Sequence, residues 1–262
     1  MSDFDRNAAM PYGRPLTRAV AAVGDQGLRA YMLRIYNYMV LGLAITGVAA
    51  LGVYMLSVTT DPALAVAKVR SIMLTNVGYA LFVSPLKWVV ILAPLALVFF
   101  LSFRIQNMRP ATAQITFWIY AALVGVSLGS IFLIYTHTSV VRVFFITAAS
   151  FGALSLWGYT TQRDLTGMGS FLLMGLFGVV LASLVNLFMA SSALQFVISV
   201  VGVLVFAGLT AWDTQRLKNE YLYAAMDGET AERTSILGAL SLYLNFINLF
   251  TLLLQLLGQR DE

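Results

Sequence analysis

The feature that most constrains this chain is the division of its apolar residues into seven separated blocks, each near the roughly 20 residues that a helix needs to cross a bilayer. Within hydrocarbon every backbone N–H and C=O has to find a partner inside its own segment or a closed barrel, so blocks of this length read as helices. The composition agrees. Of the 262 residues, 60% are apolar and 11% charged, against about 45–50% and about 25% in soluble domains. An ordinary water-soluble globule is excluded, and the fold class expected is all-α: a polytopic membrane protein built as a seven-transmembrane-helix bundle.

The spans are placed at 35–56, 88–103 (extending back toward 84), 112–134, 140–159, 170–190, 193–214 and 236–257. Most connections are short, so consecutive helices should pack as antiparallel neighbours. This gives a seven-helix domain over 35–258 and a short C-terminal tail over 259–262. The first 34 residues carry Pro11, Gly13, Pro15 and Gly24 with five arginines and three aspartates, a pattern expected of a flexible cytoplasmic N-terminal tail and not of a signal or transit peptide. Lysine and arginine divide 11 to 5 between the two sides, which favours a cytoplasmic N-terminus. Seven full crossings then put the C-terminus outside, whereas a re-entrant last helix would return it to the cytoplasm. The semi-apolar stretch 57–87, with Leu64, Val66, Val69, Ile72, Met73 and Leu74 around Lys68 and Arg70, is expected to form an amphipathic helix at the interface.

Residue inventory removes most chemistry. Cysteine is absent and His137 is the single histidine, expected in a solvated turn between the third and fourth spans. Thiolate nucleophiles, disulfides and Cys/His metal sites are therefore excluded. The three lysines, Lys68, Lys87 and Lys218, lie in connecting segments, which excludes a retinal-type Schiff base, and no span holds a histidine base for a membrane serine protease. No basic stripe with interleaved aromatics suggests nucleic acid. The chain is expected to be neither an enzyme nor the carrier of a resident cofactor.

Some polar residues do fall inside the spans. Helices in lipid associate through small residues and through polar groups that need partners. In the fifth span Gly175, Gly178, Ala182 and Asn186 share an arc of about 80° at about 100° per residue, and in the seventh Ser241, Asn245, Asn248 and Gln255 do the same. Both faces should point into the bundle, where aligned amides are satisfied by packing or by a water-filled path. Asp213, near the end of the sixth span in AWDTQR, is the one carboxylate candidate for the bilayer interior. An aspartate at a helix centre costs ~2.5–3.5 kcal/mol on insertion scales, less toward the interface. By pattern alone Asp213 sits at the edge of its apolar run, with Arg216 one turn away, and reads as interfacial. Pro94 is expected to kink the second span.

The segment GALSLYLNFINLFTLLLQLLG at 238–258, with VFAGLTAWDTQRLK at 205–218, DLTGMGSFLLMGLFGVVLASLVNLF at 164–188 and LRIYNYMVLGLAITG from Leu33, resembles the Bax inhibitor-1 family, also called the transmembrane Bax inhibitor motif family. The resemblance covers most of the chain. It implies a bundle whose last helix is central, and a pH-sensitive calcium leak gated by two aspartates that share protons. Asp213 matches the first of these positions, which draws it from the interface into the pore as a transient calcium contact. At the second position this chain has Asn245, which cannot ionise, so the like-charge interaction between two carboxylates is missing. An Asp213–Asn245 hydrogen bond should then narrow the pore with a weaker pH response. A single carboxylate also makes a weaker divalent site than two. The resemblance further implies a basic latch near the end of the second helix, where Arg104 and Arg109 both lie and Arg104 is nearer the span. Asn248, Ser241 and Asn186 complete the expected pore-lining set.

The expected protein is thus a monomer in a bacterial cytoplasmic membrane, passing calcium or another cation. The alternative is a non-conducting regulator or scaffold that binds another membrane protein through the N-terminal tail and the 214–235 loop. A secondary transporter would show an internal repeat with broken helices, and no such repeat is evident.

Overall fold

A computed structural model describes residues 15–223 and 228–261. Its helices are α1 (Pro15–Ser57), α2 (Asn76–Phe82), α3 (Leu86–Arg104), α4 (Pro110–Leu128), α5 (His137–Thr160), α6 (Thr166–Met189), α7 (Ser192–Tyr223) and α8 (Gly228–Leu257). Seven of them, all but α2, are long and apolar enough to cross a bilayer. The seven-helix expectation therefore holds, while several boundaries move.

The expected flexible tail at 1–34 is corrected over its second half, because α1 already runs from Pro15; residues 1–14 lie outside the described residues. Leu28, Tyr31, Met32 and Ile35 are buried at the spacing of one helical stripe. Arg29 and Arg34 interrupt the apolar composition without interrupting that stripe. In the same way α7 continues nine residues beyond the expected end at Thr214, through good helix formers such as Gln215, Arg216, Leu217 and Lys218. The expected loop at 214–235 is thus largely helical, with residues 224–227 outside the described set.

The stretch 57–87 is not an interfacial helix. Val58–Thr59 (β1), Ala67–Val69 (β2) and Ile72–Leu74 (β3) form an antiparallel sheet in the order β1-β3-β2, followed by α2. The hairpin between β2 and β3 turns on Arg70 and Ser71, and Arg70 takes a left-handed φ of 53°. Alternation over three-residue strands, together with the Asp61-Pro62 break, defeats the helical period read into this segment.

The last helix is the core of the bundle. In its most apolar window 61% of α8 is buried, against 39% or less in every other span. It packs against α7, α1, α5 and α4, whereas α6 rests mainly on α7 and α3 mainly on α4. Two close helix crossings depend on glycine. Gly125 of α4 lies against the Thr46 carbonyl of α1, and Gly158 of α5 lies against the Ala211 carbonyl of α7. A Cβ at either position would meet backbone that cannot rotate away.

The residues that follow α8 meet the hairpin that follows α1, so the start of α1 and the end of α8 lie at opposite ends of the bundle, as seven crossings require. Beyond α8, the Gln259 carbonyl accepts from the Thr136 amide at 3.0 Å and the Asp261 amide donates to Ile134 O at 2.9 Å. The Arg70 guanidinium, from the hairpin that follows α1, donates to the Asp261 carbonyl at 2.8 Å. His137 opens α5 at this end, exposed, edge-on to Tyr54 and stacked on Phe132.

Candidate functional site

α7 and α8 are the most extensively paired helices of α8's surroundings, and their contact decides where the polar residues of the last span go. Ser241 and Asn245 stand four residues apart on α8 and therefore project from one face. Asp213 and Arg216 stand three apart on α7 and do likewise. The two faces meet. Asn245 Nδ2 donates to Asp213 Oδ2 at 2.7 Å, and Ser241 Oγ donates to the same oxygen at 3.1 Å. Arg216 approaches the other oxygen, Oδ1, at 2.8 Å, as an ion pair without an aligned hydrogen bond. A guanidinium N–H of Arg216 also donates to Ser241 Oγ at 3.3 Å.

Asp213 is 4% exposed, so its charge is removed from bulk solvent. Ten residues of helix, about 15 Å, follow it, carrying Arg216, Lys218 and Glu220. Burial of a carboxylate is tolerated where charge and hydrogen bonds compensate, and here one cation and two neutral donors do so. The Arg216 guanidinium lies 5.0 Å from the centroid of the Trp212 ring, which supports it from the side as a cation–π contact.

Two cavities meet at this residue. The inner one, about 370 Å³, lies between α6, α7 and α8, and Asp213, Asn245 and Asn248 contribute its polar lining. The outer one, about 730 Å³, occupies the end of the bundle where α7 ends and α8 begins, and includes Glu220, Asn219, Thr166 and Ser102. Trp212, Arg216, Ser241 and Leu244 line both. The guanidinium therefore stands in the neck between a vestibule and the buried carboxylate.

The expected site residues do not all gather there. Asp213, Asn245 and Ser241 are in direct contact, and Asn248 lines the inner cavity while its Nδ2 donates to Leu244 O at 2.8 Å within its own helix. Arg104, expected near the carboxylate, is exposed at the end of α3 and forms no ion pair with Asp213; the ion pair is made by Arg216. The signal was the i, i+3 spacing of an acid and a base on one helix. Asn186 is corrected as a member of this site. It belongs to a second cluster at the far end of the bundle, donating from Nδ2 to Gln195 Oε1 at 3.0 Å and accepting from the Ser191 amide at 3.0 Å. There Gln255 Oε1 accepts from Gln195 Nε2 at 2.6 Å and from Ser199 Oγ at 2.8 Å. On α6 the stripe toward α7 includes Gly169, Leu172, Gly175 and Val179, while Gly178 faces outward with open space beside it.

The chemistry available at Asp213 is that of hard oxygen ligands: one carboxylate and nearby amide and hydroxyl oxygens. Among the described residues no three His, Cys, Asp or Glu side chains cluster as metal ligands do.

The family model described as inhibitor of apoptosis-promoting Bax1 matches residues 28–262. An uncharacterized protein of Rickettsia prowazekii is 48% identical over 240 residues, covering 91% of this chain and 93% of its own length. One from Caulobacter vibrioides is 46% identical over 263 residues, covering 100% of each. The inner membrane protein YbhL of Escherichia coli is 44% identical over 236 residues, covering 89% of this chain and 93% of its own.

Proposed function

This chain belongs to the Bax inhibitor-1 family, and from that premise we propose that it is a multi-pass protein of a bacterial cytoplasmic membrane that provides a leak pathway for calcium or a similar cation. The observation that carries the reading is the buried Asp213 carboxylate lining the smaller of two adjoining cavities, with Arg216 lining both. A cation arriving through the vestibule displaces the guanidinium and takes its place at Oδ1, with amide and hydroxyl oxygens of the α8 face as further ligands. No step requires a bond to be made or broken, and no resident cofactor is needed.

The site operates with one carboxylate. Where relatives are expected to share a proton between two aspartates, neutrality here comes from Arg216 as a tethered cation and from the Asn245 and Ser241 donors. Arginine does not lose its proton at physiological pH. The leak should therefore respond to pH less steeply than a two-aspartate site. The end of the bundle bearing Arg216 is assigned to the cytoplasm from the 11 to 5 excess of basic residues.

The test is calcium flux into liposomes holding the purified protein, on the acid and alkaline sides of neutrality, for wild type and Asp213→Ala. Protein-dependent flux that this substitution abolishes or deregulates supports the reading. Absence of flux on both sides from folded protein overturns it and leaves the non-conducting regulator.

A further inference from the structure

A third cavity, about 540 Å³, lies on the opposite flank, between α1 and α5. Its walls are apolar, from Met32, Leu33 and Met39 on one helix and Phe151 and Leu156 on the other. The polar atoms at its floor are paired with each other: Tyr36 Oη and Ser155 Oγ lie 2.6 Å apart, and Ser155 is 2.9 Å from Thr214 Oγ1. At Gly152 a Cβ would meet nothing within 4 Å, so the groove has open space beside α5.

Its mouth has a different character. Arg29, the one charged residue of the lining, is exposed there. Lys218 stands beside it through Tyr159, donating from Nζ to the Tyr159 carbonyl at 2.9 Å and lying 5.3 Å from the centre of the Tyr159 ring. Neither cation has a carboxylate within ion-pair distance among the described residues, whose ion pairs are Arg216–Asp213 and Arg233–Glu229. Two cations, unpaired with any acid among the described residues, thus stand at the mouth of an apolar groove at the end of the bundle where basic residues concentrate.

The dimensions select the occupant. From Arg29 to Met39 the α1 wall of the groove runs about 15 Å, half of a hydrocarbon core about 30 Å thick. One leaflet's acyl chain has that length, and its headgroup would emerge between Arg29 and Lys218. Guanidinium and ammonium groups together suit a phosphodiester oxygen pair and add the attraction of an anionic leaflet.

We propose that the α1–α5 groove is a binding site for an anionic phospholipid, one acyl chain lying along Leu33 and Gly152 and the phosphate held by Arg29 and Lys218. The site is independent of the leak pathway. It shares no lining residue with the Asp213 cavity, and its occupancy is read by binding, not by flux.

The experiment is native mass spectrometry of the delipidated full chain titrated with phosphatidylglycerol or phosphatidylcholine bearing the same acyl chains. The wild type should retain one phosphatidylglycerol with a preference of about tenfold or more over phosphatidylcholine. The double variant Arg29→Gln, Lys218→Gln should lose the preference while keeping weak binding of both lipids. Gly152→Phe, whose Cβ meets nothing within 4 Å and whose ring would occupy the groove, should weaken both, and its thermal midpoint reports that the fold is kept. Equal retention of the two lipids by wild type, an unchanged preference in the double variant, or wild-type binding by Gly152→Phe would each overturn the proposal.

Discussion

Replacing Arg216 with glutamine removes the charge that occupies the neck while leaving a side chain of similar reach. At about 4 Å, two unit charges attract by ~4 kcal/mol at an effective dielectric constant of about 20. The Arg216 side chain is 45% exposed and that of Asp213 is 6% exposed, so solvent screens one partner and not the other. Discounted for that exposure, the ion pair is worth ~1–2 kcal/mol. A cation entering from the vestibule competes against the same quantity, because it has to displace the guanidinium. Removing the competitor should raise cation occupancy at Asp213, and with it the leak at low cation concentration, by about tenfold, since ~1.4 kcal/mol is a factor of ten in an equilibrium. Liposome flux of calcium at limiting concentration is the assay. Arg216→Lys keeps the charge and should stay within about threefold of wild type if charge and not fork geometry is what competes. The glutamine variant should also melt earlier, because Asp213 stays buried with only Asn245 and Ser241 as donors. A folded glutamine variant with flux at or below wild type would refute the assignment of Arg216 as competitor.

Asn245→Asp places a second carboxylate in hydrogen-bonding contact with Asp213, where two like charges cannot both ionise without strong repulsion. Flux in this variant should depend more steeply on pH than in wild type, and superimposable pH profiles would count against the one-carboxylate account. Gly158→Ala drives a methyl group into the Ala211 carbonyl and should cost ~1–3 kcal/mol as overpacking, whereas Gly152→Ala enters open space and should stabilise by ~0.5–1 kcal/mol through helix propensity; thermal midpoints in detergent that move together would contradict the α5–α7 crossing. Outside the spans, the Thr166 hydroxyl and amide hold the Asp164 carboxyl below the usual carboxylate range, at 2.6 and 2.9 Å. The native pKa is the lower one, so this contribution to stability is complete above the ordinary carboxylate pKa and is lost as pH falls through the depressed value. Thr166→Val should shift the Asp164 titration upward in a carboxyl-selective NMR experiment; an unmoved titration would show the hydroxyl to be irrelevant.

The spans were legible because lipid imposes one rule on every residue of a crossing helix: its surface is apolar and its backbone is paired internally. Their ends were not, because α1, α7 and α8 continue beyond the hydrocarbon as amphipathic helices whose composition is ordinary. Leu28, Tyr31 and Met32 hold the start of α1 against the bundle among charged neighbours, and Leu217 and Ile236 do the same for α7 and α8. The hairpin after α1 was hidden for a different reason. Three-residue strands carry too few residues to separate a period of two from one of 3.6, and its turn places Arg70 at positive φ where glycine or asparagine would have marked it. At the site, the shared face of Ser241 and Asn245 followed from spacing along α8, and so did the reach of Arg216 to Asp213 along α7. The displacement of Asn186 to another cluster depended on how far α6 slides along α7, which no period within a single helix records.

That displacement separates two steps in any path along α8. The Asp213 cluster and the Gln255 cluster stand ten residues, about 15 Å, apart on this helix. Between them Leu252 packs against Gly202, and Phe206 lines the inner cavity. On the proposed leak pathway, a cation from the Arg216 end would reach as far as Asn248 and would meet apolar side chains beyond it. On that reading Arg216 would govern how often the carboxylate is occupied, and Leu252 how often an occupied site discharges. Leu252→Ala should raise flux on its own at a stability cost of ~2–3 kcal/mol. The two substitutions share no partner and lie more than about 10 Å apart, so their effects on flux should multiply in the double variant Arg216→Gln, Leu252→Ala. A double variant no faster than the faster single one would mean that both residues act on one step, and the division of the path into an occupied site and a separate apolar barrier would fail.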